Sequence, residues 1–182
     1  MDRYKVKFTR LQSEVMRLLS IKSGSSLTKR GIAKALNVSP TAIAKALPIL
    51  EKESLITTEK SQDMNFSSTK LNRNSQKALN FKKIENLKLI YESNLINYLE
   101  ESFPGTTIIL FGSYVRGEDL ENSDIDIAII GSKEKEFKHY KLFKSLLERD
   151  LSFHFYPSIS KIDKELQNNI LSGIVLVGGI SL

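Results

Sequence analysis

The 182-residue sequence has no cysteine. That absence excludes a disulfide framework, a thiolate metal site and a cysteine nucleophile, and it fits a reducing interior. No apolar run approaches the length of a membrane span, and the opening MDRYKVKFTR lacks the apolar stretch of a secretory signal. A soluble, cytoplasmic protein with no membrane association is therefore expected. Internal repeats and low-complexity segments are missing too, and residues 74–102 contain neither proline nor glycine. What remains is an ordinary globular composition, 41% hydrophobic and 26% charged, long enough for one large or two small domains.

Charge is spread unevenly. Residues 1–73 hold 14 Lys and Arg against 6 Asp and Glu, a balance of +8, whereas residues 74–182 hold 13 against 15, a balance of −2; together they give the chain its +6. A basic module meeting a polyanion, followed by a near-neutral module with different work, is the organisation this implies.

The basic part reads as helices and a hairpin. Phe8 to Ile21 sets Leu11, Val15, Leu18 and Leu19 at helical spacing. Hydroxyls at Ser25, Ser26 and Thr28 offer a cap for a short helix over Lys29–Leu36, Asn37 suits a left-handed turn, and Ser39-Pro40 opens a further helix with Ile43, Leu47 and Leu50 inward. Pro48 is expected to kink that helix by removing the hydrogen bond to the Ala44 carbonyl. Downstream, Ser54–Lys60 and Phe66–Asn72 flank the polar turn Ser61–Asn65, as in a two-stranded wing. Residues 8–72 thus resemble a winged helix-turn-helix domain. That resemblance implies DNA as partner, with Thr41, Ala42 and Lys45 at base edges and Lys29, Arg30, Lys60 and Lys70 on phosphates.

Between the modules, Leu79, Ile84, Leu87, Ile90, Tyr91, Leu95, Tyr98 and Leu99 recur at three and four, predicting a long helix broken near Asn80 and ended by Phe103-Pro104-Gly105. The domains expected are 1–73, a connecting helix over 74–102, and 103–182. The apolar stripe of the connection leaves homodimerisation open.

The second module carries the chemistry. Thr106–Phe111 is a β-branched, apolar run closed by Gly112, hence a buried strand ending in a tight turn. Gly112 allows close approach of backbone to a ligand, and Ser113 adds a hydroxyl and an N–H at the start of a short helix, where phosphate oxygens fit. Ser123–Ile130 (SDIDIAII) alternates and then turns wholly apolar, so Asp124 and Asp126 share one face of a strand while Ile125, Ile127 and Ile129 take the other. Two adjacent carboxylates on a core strand repel each other and lose hydration. A divalent cation relieves both costs, and Mg²⁺ is expected because it accepts one or two carboxylates plus substrate phosphates. A helix over Lys133–Asp150, the strand Leu151–Tyr156, a helix ending at Ser172-Gly173 and a last strand Ile174–Val177 complete the prediction.

Gly-Ser-x-x-Arg-Gly, a short loop, then Ser-Asp-Ile-Asp-Ile resembles the signature of the minimal nucleotidyltransferases of the polymerase-β superfamily, over about residues 85–178. The fold class implied is α/β (α+β), a winged helix-turn-helix followed by a nucleotidyltransferase fold with a small mixed sheet. The resemblance implies Gly112, Ser113 and Arg116 on a triphosphate, Asp124 and Asp126 as catalytic Mg²⁺ ligands, and transfer of a nucleoside monophosphate from an NTP to an acceptor hydroxyl. The family's third carboxylate, on a later strand, aligns here with His154. Three roles are open to that residue: base, metal ligand, or a polar side chain on the open face of the sheet. Asp150 is a further carboxylate just ahead of that strand. The whole arrangement resembles archaeal fusions of a winged helix with a minimal nucleotidyltransferase, and stand-alone relatives of that domain act as antitoxins on HEPN-type partners. Two functions follow as expectations: an enzyme that modifies a protein or RNA, and a transcriptional regulator whose degenerate transferase fold senses nucleotide or mediates contacts.

Overall fold

A computed structural model describes residues 7–60 and 67–180, except that the side chain of Lys60 lies outside what is described. The chain divides into two compact units, Met1–Lys82 and Lys83–Leu182.

In the first unit, α1 (Arg10–Ile21) opens on a capping box in which the Thr9 hydroxyl and the Gln12 side chain each accept from the other's backbone N–H. A two-residue strand β1 (Leu27–Thr28) leads into α2 (Lys29–Ala35), capped by Thr28. Ser39 caps α3 (Pro40–Lys52), with Pro40 in the first turn where a missing N–H costs nothing. That helix continues through Pro48 to Lys52, with Leu47 and Leu50 buried on either side of the proline. Strands β2 (Ile56–Lys60) and β3 (Ser67–Leu71) pair antiparallel, and β1 adds to the outer edge of β3. The expected turn Ser61–Asn65 lies outside the described residues. Val15, Leu19, Ile32, Ile43, Leu50 and Leu55 are fully buried in one core, each contributing about 1.5–3 kcal/mol. Helix, short strand, helix, helix and two-stranded wing make this unit a winged helix-turn-helix.

The connecting segment departs from expectation. Ser75 caps α4 (Gln76–Glu92), which runs unbroken past Asn80. The break falls instead at Ser93-Asn94, where Asn94 adopts φ 63° and the Ser93 hydroxyl donates to the Ile90 carbonyl before α5 (Leu95–Ser102) begins. Asn is among the few side chains that tolerate this left-handed conformation.

The second unit is built on a four-stranded mixed sheet in the order β6-β5-β4-β7. Strand β4 (Thr107–Phe111) pairs antiparallel with β5 (Ile125–Ile130) and with β7 (Ile174–Val177), and β5 pairs parallel with β6 (Leu151–Tyr156). One face of the sheet presents Ile108, Leu110, Ile125, Ile127 and Ile129 to Ile90, Leu95, Leu99, Phe143 and Leu147. The other face presents Ile109, Phe111, Ala128 and Ile130 to Ile162 and Ile170, at the 3₁₀ turn Ile159–Lys161 and α8 (Lys164–Leu171). The helix predicted over Lys133–Asp150 shrinks to α7 (Tyr140–Leu147). The reason is Phe137, which is drawn out of the charged run ahead of that helix and buried among Phe103, Phe143 and Phe153. Glu148 at φ 51° then ends α7, so Asp150 stands just ahead of β6. Among the described residues no helix is long and apolar enough to cross a membrane.

Candidate active site

Register brings the site together. Phe111, the last residue of β4, faces Asp126 on β5, and Asp126 in turn faces Ser152 on β6. Because strand side chains alternate, Asp126, Ser152 and His154 share the thinly covered face. His154 Nε2 lies 3.3 Å from Asp126 Oδ1 and 3.1 Å from the Ser152 hydroxyl. With its proton on Nε2 the imidazole donates to the carboxylate; with the proton on Nδ1, Nε2 accepts from Ser152. The Phe111 ring packs edge-on against the imidazole at 5.2 Å. Asp126 and His154 keep about a third of their side-chain surface, 30% and 33%, so both remain open to a ligand.

Across the carboxylate stands Gly112, at φ 79°, the first residue of α6 (Gly112–Arg116). A Cβ there would meet the Asp126 carboxyl group, so both conformation and space favour glycine. No side chain caps α6, and Ser113, half-buried, sits one residue beyond the glycine. Asp124 is exposed immediately before β5. Two hard carboxylates at one strand entrance suit Mg²⁺ completed by phosphate oxygens and water. Among the described residues, no three His, Cys, Asp or Glu side chains gather into a ligand set of their own.

Arg116 is half-exposed, donating to Glu118 at 2.7 Å and to Asn169 at 3.2 Å, and it lines an open groove of about 490 Å³ with Asp163, Glu165 and Leu166. Asp150 is held by Lys144 at 2.6 Å and by the Tyr140 hydroxyl, and these partners, Lys144 first, hold its pKa below the usual carboxylate range. With Ser123, Lys141 and Lys144 it lines a wider cleft of about 620 Å³. In the first unit Lys29, Arg30, Thr41 and Lys45 are exposed, Ala42 is half-buried, and Lys70 pairs with Glu59 at 2.6 Å. An exposed pair of that kind is worth about 0–1 kcal/mol and yields to a stronger anion.

One group escaped sequence reasoning altogether. Asp119 is fully buried and Arg149 nearly so, their charged groups 3.7 Å apart, and Asn86 Nδ2 donates to Asp119 Oδ1 at 2.7 Å and to the Tyr114 carbonyl at 2.9 Å. In the run Glu118-Asp119-Leu120-Glu121 nothing distinguishes the inward carboxylate from its solvated neighbours.

A mixed sheet with a Gly-Ser turn facing a strand aspartate defines a nucleotidyltransferase fold, here following a winged helix in one chain. Residues 92–177 match the family model described as "Nucleotidyltransferase domain". Among solved structures the chain is similar to the adhesin competence repressor AdcR from Streptococcus pyogenes, at 26% identity over 57% of this chain and 72% of that one, with a TM-score of 0.43. It is also similar to ZitR from Lactococcus lactis, a zinc-responsive MarR family member, at 27% identity over 58% and 69% with a TM-score of 0.40. No curated protein matches the chain.

Proposed function

We propose that this protein is a DNA-binding nucleotidyltransferase of the cytoplasm that binds Mg·NTP in its second unit and transfers the nucleoside monophosphate to a protein or RNA hydroxyl. The observation that carries this reading is the opposition of Gly112 and Asp126, which leaves backbone and carboxylate close enough to share one ligand. Mg²⁺, held by Asp124 and Asp126 together with phosphate oxygens, would supply charge neutralisation at the triphosphate. Gly112 and Ser113 receive phosphate oxygens, and His154, 3.3 Å from Asp126, would take the acceptor proton. The acceptor oxygen bonds to the α-phosphorus, the bond from that phosphorus to the bridging oxygen breaks, and pyrophosphate leaves. A HEPN-type protein is the acceptor in the antitoxin-like form of this proposal.

A second reading rests on His154. An imidazole bonded to Asp126 where the family carries a carboxylate suits a regulator that holds nucleotide without turning it over. Labelled ATP, CTP, GTP and UTP with Mg²⁺ and candidate acceptors decide between the two. Transfer by the wild type that Asp126→Ala abolishes supports the enzyme; nucleotide binding without transfer, together with transfer gained by His154→Asp, supports the regulator. Absence of both binding and transfer would sink both readings of the site.

DNA binding draws on the +8 balance of residues 1–73 and on the exposure of Lys29, Arg30 and Lys45. Arg30→Ala and Lys45→Ala are each expected to weaken binding and reduce the slope of log affinity against log salt by about 1. A slope unchanged in both variants removes these residues from the interface.

A further inference from the structure

The loop Gly117–Asp124, between the phosphate turn and the metal carboxylates, is exposed at Glu118, Leu120, Asn122 and Asp124, yet Asp119 within it is fully buried. Its two oxygens face different segments: Oδ1 accepts from Asn86 on α4 at 2.7 Å, and Oδ2 faces Arg149 at 3.7 Å, just ahead of β6. Asn86 is also tied to α6, because the same Nδ2 donates to the Tyr114 carbonyl at 2.9 Å and its own carbonyl accepts from the Tyr114 hydroxyl at 3.4 Å. Beyond Arg149, the Asp150 carbonyl accepts from the Ile125 N–H at 2.8 Å where β5 and β6 begin to pair. One buried carboxylate is therefore linked to α6, which carries Ser113, to the loop delivering Asp124 and Asp126, and to the entry of the strand carrying His154.

We infer that Asp119, Asn86 and Arg149 are positioning residues that set the separation between the Gly112-Ser113 turn, the Asp124–Asp126 pair and His154. Stability does not account for them, since a buried ion pair gains little over an apolar pair of similar volume. What such a pair adds is direction: each oxygen accepts only along certain lines, whereas apolar contacts tolerate sliding. The inference rests on the reading that residues 112–126 hold Mg·NTP.

The test compares wild type, Asp119→Leu/Arg149→Met and Asn86→Ala in three measurements: thermal stability, affinity for each of the four common Mg·NTPs, and amide exchange. The double variant is expected to keep its melting temperature while losing about 10- to 100-fold in Mg·NTP affinity, the usual cost of removing a partner that orients a ligand-binding group. Exchange should accelerate over residues 112–126 and 150–154 and stay unchanged in α5 and β7. Asn86→Ala, which leaves the ion pair intact, should show the same pattern more weakly, and it decides the matter if the double variant does not fold. Affinity unchanged in a folded variant overturns the inference, as does affinity that falls only in step with stability. If wild type binds no Mg·NTP, the reading of the site fails separately, and exchange alone decides: local acceleration sustains the positioning role and uniform or absent acceleration overturns it.

Discussion

The two faces of the four-stranded sheet are made by the same strands and serve opposite ends. Ile125, Ile127 and Ile129 point to a face closed by helical side chains such as Ile90, Leu95, Leu99, Phe143 and Leu147. Asp126, Ala128 and Ile130 point to the other, where Ile162 and Ile170 cover only part of the surface and Asp126 and His154 are left partly open. Because successive residues of a strand point to opposite faces, it can anchor a fold with one set of side chains and expose chemistry with the other. The thick face resists change so that the thin face can afford charge.

The largest expected effect breaks the thick face. Ile127→Ala deletes fully buried methyl groups in the centre of that core and should cost about 2–5 kcal/mol of stability in the second unit, measured by denaturant unfolding. Where the variant remains folded, its Mg·NTP affinity should match wild type, because no atom of the site is removed. Equal loss of affinity and stability would mean that the two faces are not separable. Gly112→Ala attacks the thin face instead. Its Cβ meets the Asp126 carboxylate and its φ of 79° costs an L-residue about 1–2 kcal/mol. Mg·NTP affinity should fall roughly tenfold or more, as for a displaced ligand, with far-ultraviolet circular dichroism unchanged. Wild-type affinity in this variant would remove the glycine from the site.

How much of this was legible in the sequence depends on the range of the interaction. Alternation with period two is local, so the inward isoleucines and outward aspartates of β5 could be read from SDIDIAII itself. The capped helices of the first unit were legible for the same reason, since Thr28 and Ser39 each cap within three residues. Contacts made across the fold were not. Phe137 sits in a run rich in Lys and Glu that reads as helix until its aromatic partners from other segments are in place. Nothing near Asn94 distinguishes it from Asn80 as a breaking point. Asp119 is separated from Asn86 by 33 residues, and an acidic loop is ordinarily solvated. His154 was placed near the carboxylates only through a family resemblance; the parallel pairing of Ala128 with His154 has no local signal.

The smallest effect compares two carboxylates at the same end of the sheet. Asp126 lies against His154, whereas Asp150, the more exposed of the two, is fixed by Lys144 and Tyr140 from α7. Lys144 and then Tyr140 lower the pKa of Asp150, so its contribution to stability is present above the ordinary carboxylate pKa of about 4 and is lost as pH falls through the lowered value. Asp150→Asn should therefore lower stability slightly near neutrality and flatten its decline in acid, by less as salt is raised, because these groups are half-exposed. Melting curves from neutral pH down into the acid range at low and high salt measure this directly, and Mg·NTP affinity at neutral pH should stay at the wild-type value. A loss of affinity in Asp150→Asn as large as that in Gly112→Ala would place Asp150 among the ligand-holding groups and erase the distinction between the two carboxylates.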